Sequence, residues 1–151
     1  MIEQQIEQDV KSALLAGDAL RVSTLRGLKS VLLYAKVATG KRATGLENDE
    51  VLTLLAKEAK KRQESADMYM QGDRPESAQK ELAEKAIIVA YLPPPLSEAD
   101  ISAVVDEIIA SSGATDLAGM GKVIGAVKQR LGASADGSII AKIAKERLQQ
   151  K

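Results

Sequence analysis

The sequence contains no cysteine and no histidine. Without cysteine the chain can form no disulfide framework and can carry out no thiol chemistry. Histidine is the commonest metal ligand and the commonest general base near neutral pH, so its absence removes a side chain on which many metal sites and catalytic sites depend. We therefore expect a protein with no metal site, no cofactor and no catalytic residue.

Aromatic residues are almost absent, since there are three tyrosines and no phenylalanine or tryptophan. This scarcity argues against sequence-specific binding of single strands by base stacking. Neither sign of charge dominates: 21 basic and 21 acidic residues give a formal net charge of zero. Any nucleic-acid surface must therefore be local.

Long apolar runs are also missing, and the longest, AIIVAYL at 86–92, is far too short to span a bilayer. The first residues, MIEQQIEQDV, are acidic where a signal peptide would be basic. We expect a soluble cytoplasmic protein that does not associate with membranes.

Strong helix formers (Ala, Leu, Glu, Lys and Gln) are abundant, and no segment alternates as a strand would, so we predict an all-α fold. The N-terminal part should hold four helices, at about 2–16, 18–39, 48–71 and 75–91. Asp73 is the predicted cap of the fourth helix, with Pro75 near its first position.

Three consecutive prolines in LPPPL cannot continue a helix, so we place a domain division there. The predicted parts are an N-terminal helical subdomain (1–92), a proline linker (93–96) and a C-terminal three-helix subdomain (97–151). Ser97 and Asp100 form an approximate capping box for the fifth helix, and Gly113 and Gly132 should end the fifth and sixth.

Three glycines, Gly119, Gly121 and Gly125, lie in the stretch predicted as the sixth helix, although each weakens a helix by up to about 1 kcal/mol. Either another helix crosses closely there, or an extended ligand such as a nucleic-acid backbone lies against the glycines. In the second case Lys122 and Lys128 would hold the ligand. Spacing alone favours the crossing helix.

Basic residues concentrate in the C-terminal part, where seven follow Leu117 against only two acidic residues. The helix dipole alone accounts for Arg130, Arg147 and Lys151 near helix C-termini. Four lysines are not explained in this way and become candidate phosphate contacts: Lys122, Lys128, Lys142 and Lys145.

A second basic surface is predicted in the N-terminal part around Arg21, Arg26 and Lys29, because no acidic residue lies between Asp18 and Glu47. Farther along, Glu58 and Arg62 are four residues apart on an apolar stripe, so we expect them to pair within the helical packing. The glycines near Lys41 and Lys122 match neither the phosphate-loop nor the dinucleotide spacing, and nothing indicates a catalytic centre.

Three ordered motifs carry a resemblance to a known family. YLPPPLSEADI, GATDLAGMGKVIGAVKQRL and ADGSIIAKIAKERL resemble the signatures of the GatB/YqeY family, and DALRVSTLRGLKS and LLAKEAKKRQESADMYMQGDRPE are similar to segments of stand-alone YqeY-like proteins. The resemblance covers nearly the whole chain.

The resemblance implies two helical subdomains related to the tail of the B subunit of the tRNA-dependent amidotransferase, a tail that helps to hold tRNA. It favours a non-catalytic protein that binds tRNA or structured RNA, with Gly121 and Gly125 allowing close approach. One alternative is a helical adaptor that docks on an amidotransferase or synthetase complex through the long third helix. A weaker alternative is an activity of the carbon–nitrogen ligase type.

Overall fold

The computed structural model describes residues 1–132 and 135–149. Within these ranges the protein has seven α-helices and no strand, which confirms the all-α prediction. The helices are α1 (Ile2–Ala16), α2 (Ala19–Ala38), α3 (Asn48–Gln71), α4 (Pro75–Val89), α5 (Glu98–Ser112), α6 (Met120–Leu131) and α7 (Gly137–Gln149).

The chain packs into two compact units, Met1–Leu92 and Pro93–Lys151. The first unit contains α1 to α4 and the second contains α5 to α7. The predicted division into an N-terminal subdomain, a proline linker and a C-terminal subdomain stays a prediction. Among the residues that the structure describes, no helix combines the length and the apolarity needed to cross a membrane.

The first unit is built from two helical hairpins, α1–α2 and α3–α4, around one apolar core. Ile6, Leu25, Leu28, Leu55 and Ile88 are almost fully buried there. Because Gly17 adopts a left-handed conformation (φ 70°), α1 ends within one residue and α2 begins directly after it.

Charged side chains join α3 to α4 beside this core. Arg62 lies 3.1 Å from Glu58 on its own helix, which confirms the predicted pair, and 3.1 Å from Glu84 on α4. Glu58 is only 7% exposed, so its carboxylate depends on these partners and on Lys61, also at 3.1 Å.

The predicted cap of α4 is wrong. The N-cap position is Arg74, whose side chain makes no capping hydrogen bond, and Asp73 has a positive φ of 56°. The reason lies in how α3 ends: the backbone N–H of Arg74 donates to the carbonyl of Tyr69, so Asp73 takes the left-handed position that closes α3.

The second unit has its own core, in which Ile101, Val105, Val123, Val127 and Ile140 are almost fully buried. The predicted capping box of α5 is confirmed. The Ser97 hydroxyl accepts from the Asp100 N–H, and the Asp100 carboxylate accepts from the Ser97 N–H. Gly113 ends α5 in a left-handed conformation (φ 71°), and Gly132 follows α6 with φ 58°, as predicted.

The helix predicted through Gly119 is wrong at its first turn. Leu117–Gly119 forms a short 3₁₀ turn, and the α-helix begins at Met120. The Asp116 carboxylate accepts from the Ala118 N–H and so favours this tighter turn. A Cβ on Gly119 would stand 2.9 Å from the Cβ of Ala114, so this glycine serves the packing of the turn.

Candidate nucleic-acid interface

The candidate interface is built on α6, one stripe of which packs into the core of the second unit. Val123 and Val127 are buried on that stripe. Successive residues of a helix turn by about 100°, so Gly121, Gly125 and Lys128 share a single flank beside it. The flank therefore presents backbone and one cation to its surroundings.

The glycine flank is open to solvent. No described atom lies within 4 Å of the position that a Cβ would take on Gly121 or Gly125. The close helix crossing that spacing alone favours is therefore wrong among the described residues. Neither glycine is needed for packing there, and each still weakens α6 by up to about 1 kcal/mol.

Lys128 is brought from α6 to the beginning of α7. Its Cε would lie 2.9 Å, and its Nζ 3.1 Å, from a Cβ added to Gly137, the first residue of α7. The absence of a side chain at Gly137 thus leaves room for the Lys128 side chain. The sequence contains Gly137 in a recognisable motif, but nothing in that motif indicates which side chain passes over it.

The two arginines of this region are paired with acidic residues of α5. Arg130 Nη1 lies 3.1 Å from Glu107, and Arg147 Nε lies 2.9 Å from Asp106. Both arginines therefore join α5 to a neighbouring helix, and the helix dipole alone does not account for them. Lys151, the third residue assigned to the dipole, lies outside the described residues.

The four candidate lysines differ from these arginines. Within residues 1–132 and 135–149 none of them makes an ion pair, and all four are exposed: Lys122, Lys128, Lys142 and Lys145. Lys128 is two residues from Arg130, and Lys145 is two residues from Arg147. Two residues correspond to about 200° of rotation, so on both helices these lysines point away from the side that faces α5.

The lysines do not all share one flank. Lys142 and Lys145 are neighbours three residues apart on α7. Lys128 lies on the glycine flank of α6, whereas Lys122 is about 100° beyond Gly121 and points directly to solvent. We name the set Lys122, Lys128, Lys142 and Lys145, with Gly121 and Gly125, the α6–α7 lysine surface.

The second predicted basic surface, around Arg21, Arg26 and Lys29, is largely neutralised. Arg21 lies 3.9 Å from Asp9 and Lys29 lies 3.5 Å from Glu7, both on α1. Arg26 alone of the three makes no ion pair within the described part of the chain. The acidic residues of α1 lie too far away in sequence for a pattern within α2 to reveal this pairing.

Among the described residues, no group of three or more Asp or Glu side chains is arranged so that it could hold a metal ion. On more than one flank, α6 and α7 carry four exposed lysines, and α6 adds open backbone at Gly121 and Gly125. Such a surface can bind an anionic polymer through its phosphates.

Comparison with protein families agrees with the motifs. The family model described as Yqey-like protein matches residues 3–148. The chain belongs to the YqeY-like family. No curated protein matches the chain by sequence. In this YqeY-like chain the match extends from α1 to the last turn of α7, so both compact units belong to the family.

Proposed function

We propose that this YqeY-like protein binds tRNA or another structured RNA, without catalysis, through the α6–α7 lysine surface. One observation carries the proposal: in the described ranges its four lysines have no ion pair, although Arg130 and Arg147 beside them are both paired. Unpaired cations next to an open glycine flank favour an anionic ligand from outside the unit.

Structured RNA fits this surface better than single strands do. Duplex RNA is recognised mainly through its shape, its phosphates and its 2′-hydroxyls, which requires cations and close approach more than aromatic side chains. The α6–α7 lysine surface offers cations from two helices, and no tyrosine lies in α5, α6 or α7. Binding should therefore depend strongly on salt and weakly on base sequence.

The family resemblance supports the same proposal. The C-terminal motifs resemble the tail of the amidotransferase B subunit, which helps to hold tRNA in that larger enzyme. We infer a related task for this chain, in which RNA is held rather than modified.

The test is fluorescence anisotropy of labelled tRNA from low to physiological salt. The Lys122→Ala/Lys128→Ala variant should bind more weakly, and the slope of log K against log salt should fall by roughly 0.7 to 0.9 for each lost contact. Lys29→Ala/Lys36→Ala is the matched control, because it removes the same charge from two lysines that are paired with Glu7 and Glu3. Equal losses in the two variants, or unchanged binding in the first, would contradict the proposal.

The glycine flank gives an independent test. A Gly125→Gln substitution meets no described atom close to its Cβ, so it should leave the fold intact and block close approach of RNA. We expect weaker tRNA binding at unchanged or higher thermal stability. Wild-type affinity in this variant would remove the glycine flank from the site.

A second candidate function, the protein adaptor, is favoured by one observation at the end of α3. Met68 and Met70 are 71% and 60% exposed there, and flexible methionines suit adaptable protein contacts. An amidotransferase or synthetase complex is the proposed partner. Its capture after nuclease treatment, and its loss in Met68→Ser/Met70→Ser, would support the adaptor; capture that nuclease abolishes would favour RNA.

A further inference from the structure

The solvent-facing stripe of α2 has an unusual composition. Successive residues of a helix are rotated by about 100°, and each residue of this stripe lies within about 60° of Ser30 around the helix axis. They are Ser23, Arg26, Gly27, Ser30, Leu33, Tyr34 and Val37, and each is exposed. Arg26 is the one charged residue of this stripe, whereas solvated helix faces ordinarily carry many charges.

The two halves of the stripe differ in size. The N-terminal half carries the small residues Ser23 and Gly27, and a Cβ on Gly27 would meet no described atom within 4 Å. The C-terminal half carries Leu33, Tyr34 and Val37, which are 50%, 80% and 58% exposed. Large apolar residues thus lie on one side of Ser30, and an open glycine lies on the other.

We propose that this stripe pairs with the same stripe of a second copy of the chain, with the two α2 helices antiparallel. A twofold axis that passes between the two helices, level with the peptide bond between Ser30 and Val31, places Tyr34 of each copy over Gly27 of the other. The contact is self-complementary, as an isologous interface must be. The Ser30 hydroxyl already donates to the Arg26 carbonyl at 3.2 Å, so covering it removes no hydrogen bond from the protein.

Charge favours the antiparallel arrangement over the parallel one. In parallel helices the two Arg26 side chains would face each other, and Tyr34 would face Tyr34. About the antiparallel axis the two Arg26 residues are nine positions apart, roughly 13 Å along the helix, which exceeds the screening length of about 10 Å in 0.1 M salt. Since the stripe contains no acidic residue, no attraction would offset the repulsion of a parallel pair.

The flank of the stripe towards α1 also receives the second copy. A hollow of about 540 Å³ lies there, open to solvent and lined by Ala13, Leu14, Val22, Ser23 and Arg26 among others. A twofold axis perpendicular to α2 brings the α1 flanks of both copies to the same side. In this register Val37 of one copy is opposite position 24 of the other, so it lies over the hollow while Tyr34 lies over Gly27 on the opposite flank.

The interface is small. One face of a 20-residue helix is about 30 Å long and buries less area than the standard interface of about 1,600 Å². We therefore expect a weak dimer, with a dissociation constant on the order of tens of micromolar.

Sedimentation equilibrium of the full chain, from roughly 5 to 500 µM and without RNA, tests the proposal. The average mass should rise from one chain towards two. Gly27→Gln and Tyr34→Ser should each keep the protein monomeric over the same range. Met68→Ser, which removes an exposed apolar side chain from α3, is the matched control and should dimerise like the wild type.

Thermal unfolding separates these effects from misfolding. At the lowest of these concentrations, where the wild type is mostly monomeric, Gly27→Gln should melt no lower than the wild type, since glutamine is the better helix former and its Cβ meets no described atom within 4 Å. A wild-type protein that stays monomeric throughout would overturn the proposal. Dimerisation of Gly27→Gln and Tyr34→Ser at wild-type strength would overturn it equally, because the contact would then lie elsewhere.

Mixing the two variants tests the antiparallel geometry itself. A heterodimer of Gly27→Gln with Tyr34→Ser keeps one native contact between Tyr34 and Gly27. At the other contact, the glutamine that replaces Gly27 in one chain faces the serine that replaces Tyr34 in the other. The mixture should therefore associate more strongly than either variant alone, and a mixture that stays monomeric would overturn the antiparallel pairing.

Discussion

Ala114 and Gly119 approach each other so closely that a Cβ on the glycine would stand 2.9 Å from the alanine Cβ. Neither Cβ could move away unless the backbone of the turn between α5 and α6 moved with it. Gly119→Ala should therefore lower the free energy of unfolding by about 1 to 2 kcal/mol, in the range of other overpacked sites. Urea denaturation of the purified variant measures this change.

Gly121→Ala and Gly125→Ala are the matched controls, because the same methyl group meets no described atom at either position. Each should raise the free energy of unfolding by up to about 1 kcal/mol through helix propensity. Destabilisation by all three substitutions would mean that the flank of α6 is not open in solution.

The ion pairs of Glu58 predict different effects for its two cationic partners. Arg62 pairs with Glu58 and, on α4, with Glu84. Within the described part of the chain Lys61 pairs only with Glu58, from a side chain that is 55% exposed. Arg62→Ala should lower the free energy of unfolding by about 2 kcal/mol, because it leaves a buried carboxylate poorly paired. Lys61→Ala should cost less than about 1 kcal/mol. Chemical denaturation of both variants at neutral pH checks the contrast, which equal effects would contradict.

Alkaline stability should depend on Tyr91, whose hydroxyl donates to the Asp9 carboxylate. Partial burial, and then this hydrogen bond, raise the pKa of Tyr91 above its ordinary value of 10.0. A raised pKa in the folded state gives stability that is complete below that ordinary value and is lost as the pH rises through the folded-state value. Tyr91→Phe should therefore be less stable by about 1 to 2 kcal/mol at neutral pH and should lose less stability than the wild type above pH 10.

Denaturation curves from pH 8 to pH 11 measure this difference, since lysine titration is common to both proteins. Tyr34→Phe is the control, because the Tyr34 side chain is 80% exposed. Parallel alkaline slopes in wild type and Tyr91→Phe would contradict the assigned role of the Asp9 contact.

Acid stability should depend on Glu50 at the beginning of α3. Its carboxylate accepts from Lys41 Nζ at 2.6 Å and from the Glu47 N–H at 2.8 Å, and these bonds, the lysine bond first, lower the pKa of Glu50. The resulting stability is present above the ordinary value of 4.5 and is lost as the pH falls through the lower folded-state value. Glu50→Gln should thus lose less stability than the wild type below pH 4.5. Asp49→Asn, one residue away, should keep the wild-type dependence in thermal melts over this range.

Helix ends were predictable from the sequence where residues next to that one helix end decide them. The side chains of Ser97 and Asp100 cap α5 by themselves, and Gly17 and Gly113 take the left-handed conformations that a glycine after a helix indicates. Asp73 was not predictable in this way, because two helix ends compete for it. The closure of α3 takes priority over the capping of α4, and only the assembled turn reveals that order.

For the candidate site, the lysines could be selected from the sequence, but the ion pairing of the arginines beside them could not. The sequence separates Lys128 from Arg130 only by attributing Arg130 to the helix dipole. In the structure Arg130 pairs with a residue 23 positions away on another helix, whereas Lys128 makes no ion pair among the described residues. The open flank at Gly121 and Gly125 was unpredictable for the same reason, because it also depends on the positions of other helices. Small residues at i and i+4 permit a close neighbour, but only the packing of the other helices determines whether one is present.

The separation of acidic residues on α5 from the lysines of α6 and α7 has a kinetic consequence. Residues 93–116 contain five acidic residues and no basic one, whereas residues 117–151 contain seven basic and two acidic residues. The second unit is therefore electrically polar although its formal charge is zero. In the electric field of a polyanion, the lysines of α6 and α7 should be turned towards the polyanion during diffusion. Ionic strength should therefore change the association rate more than the lifetime of the complex.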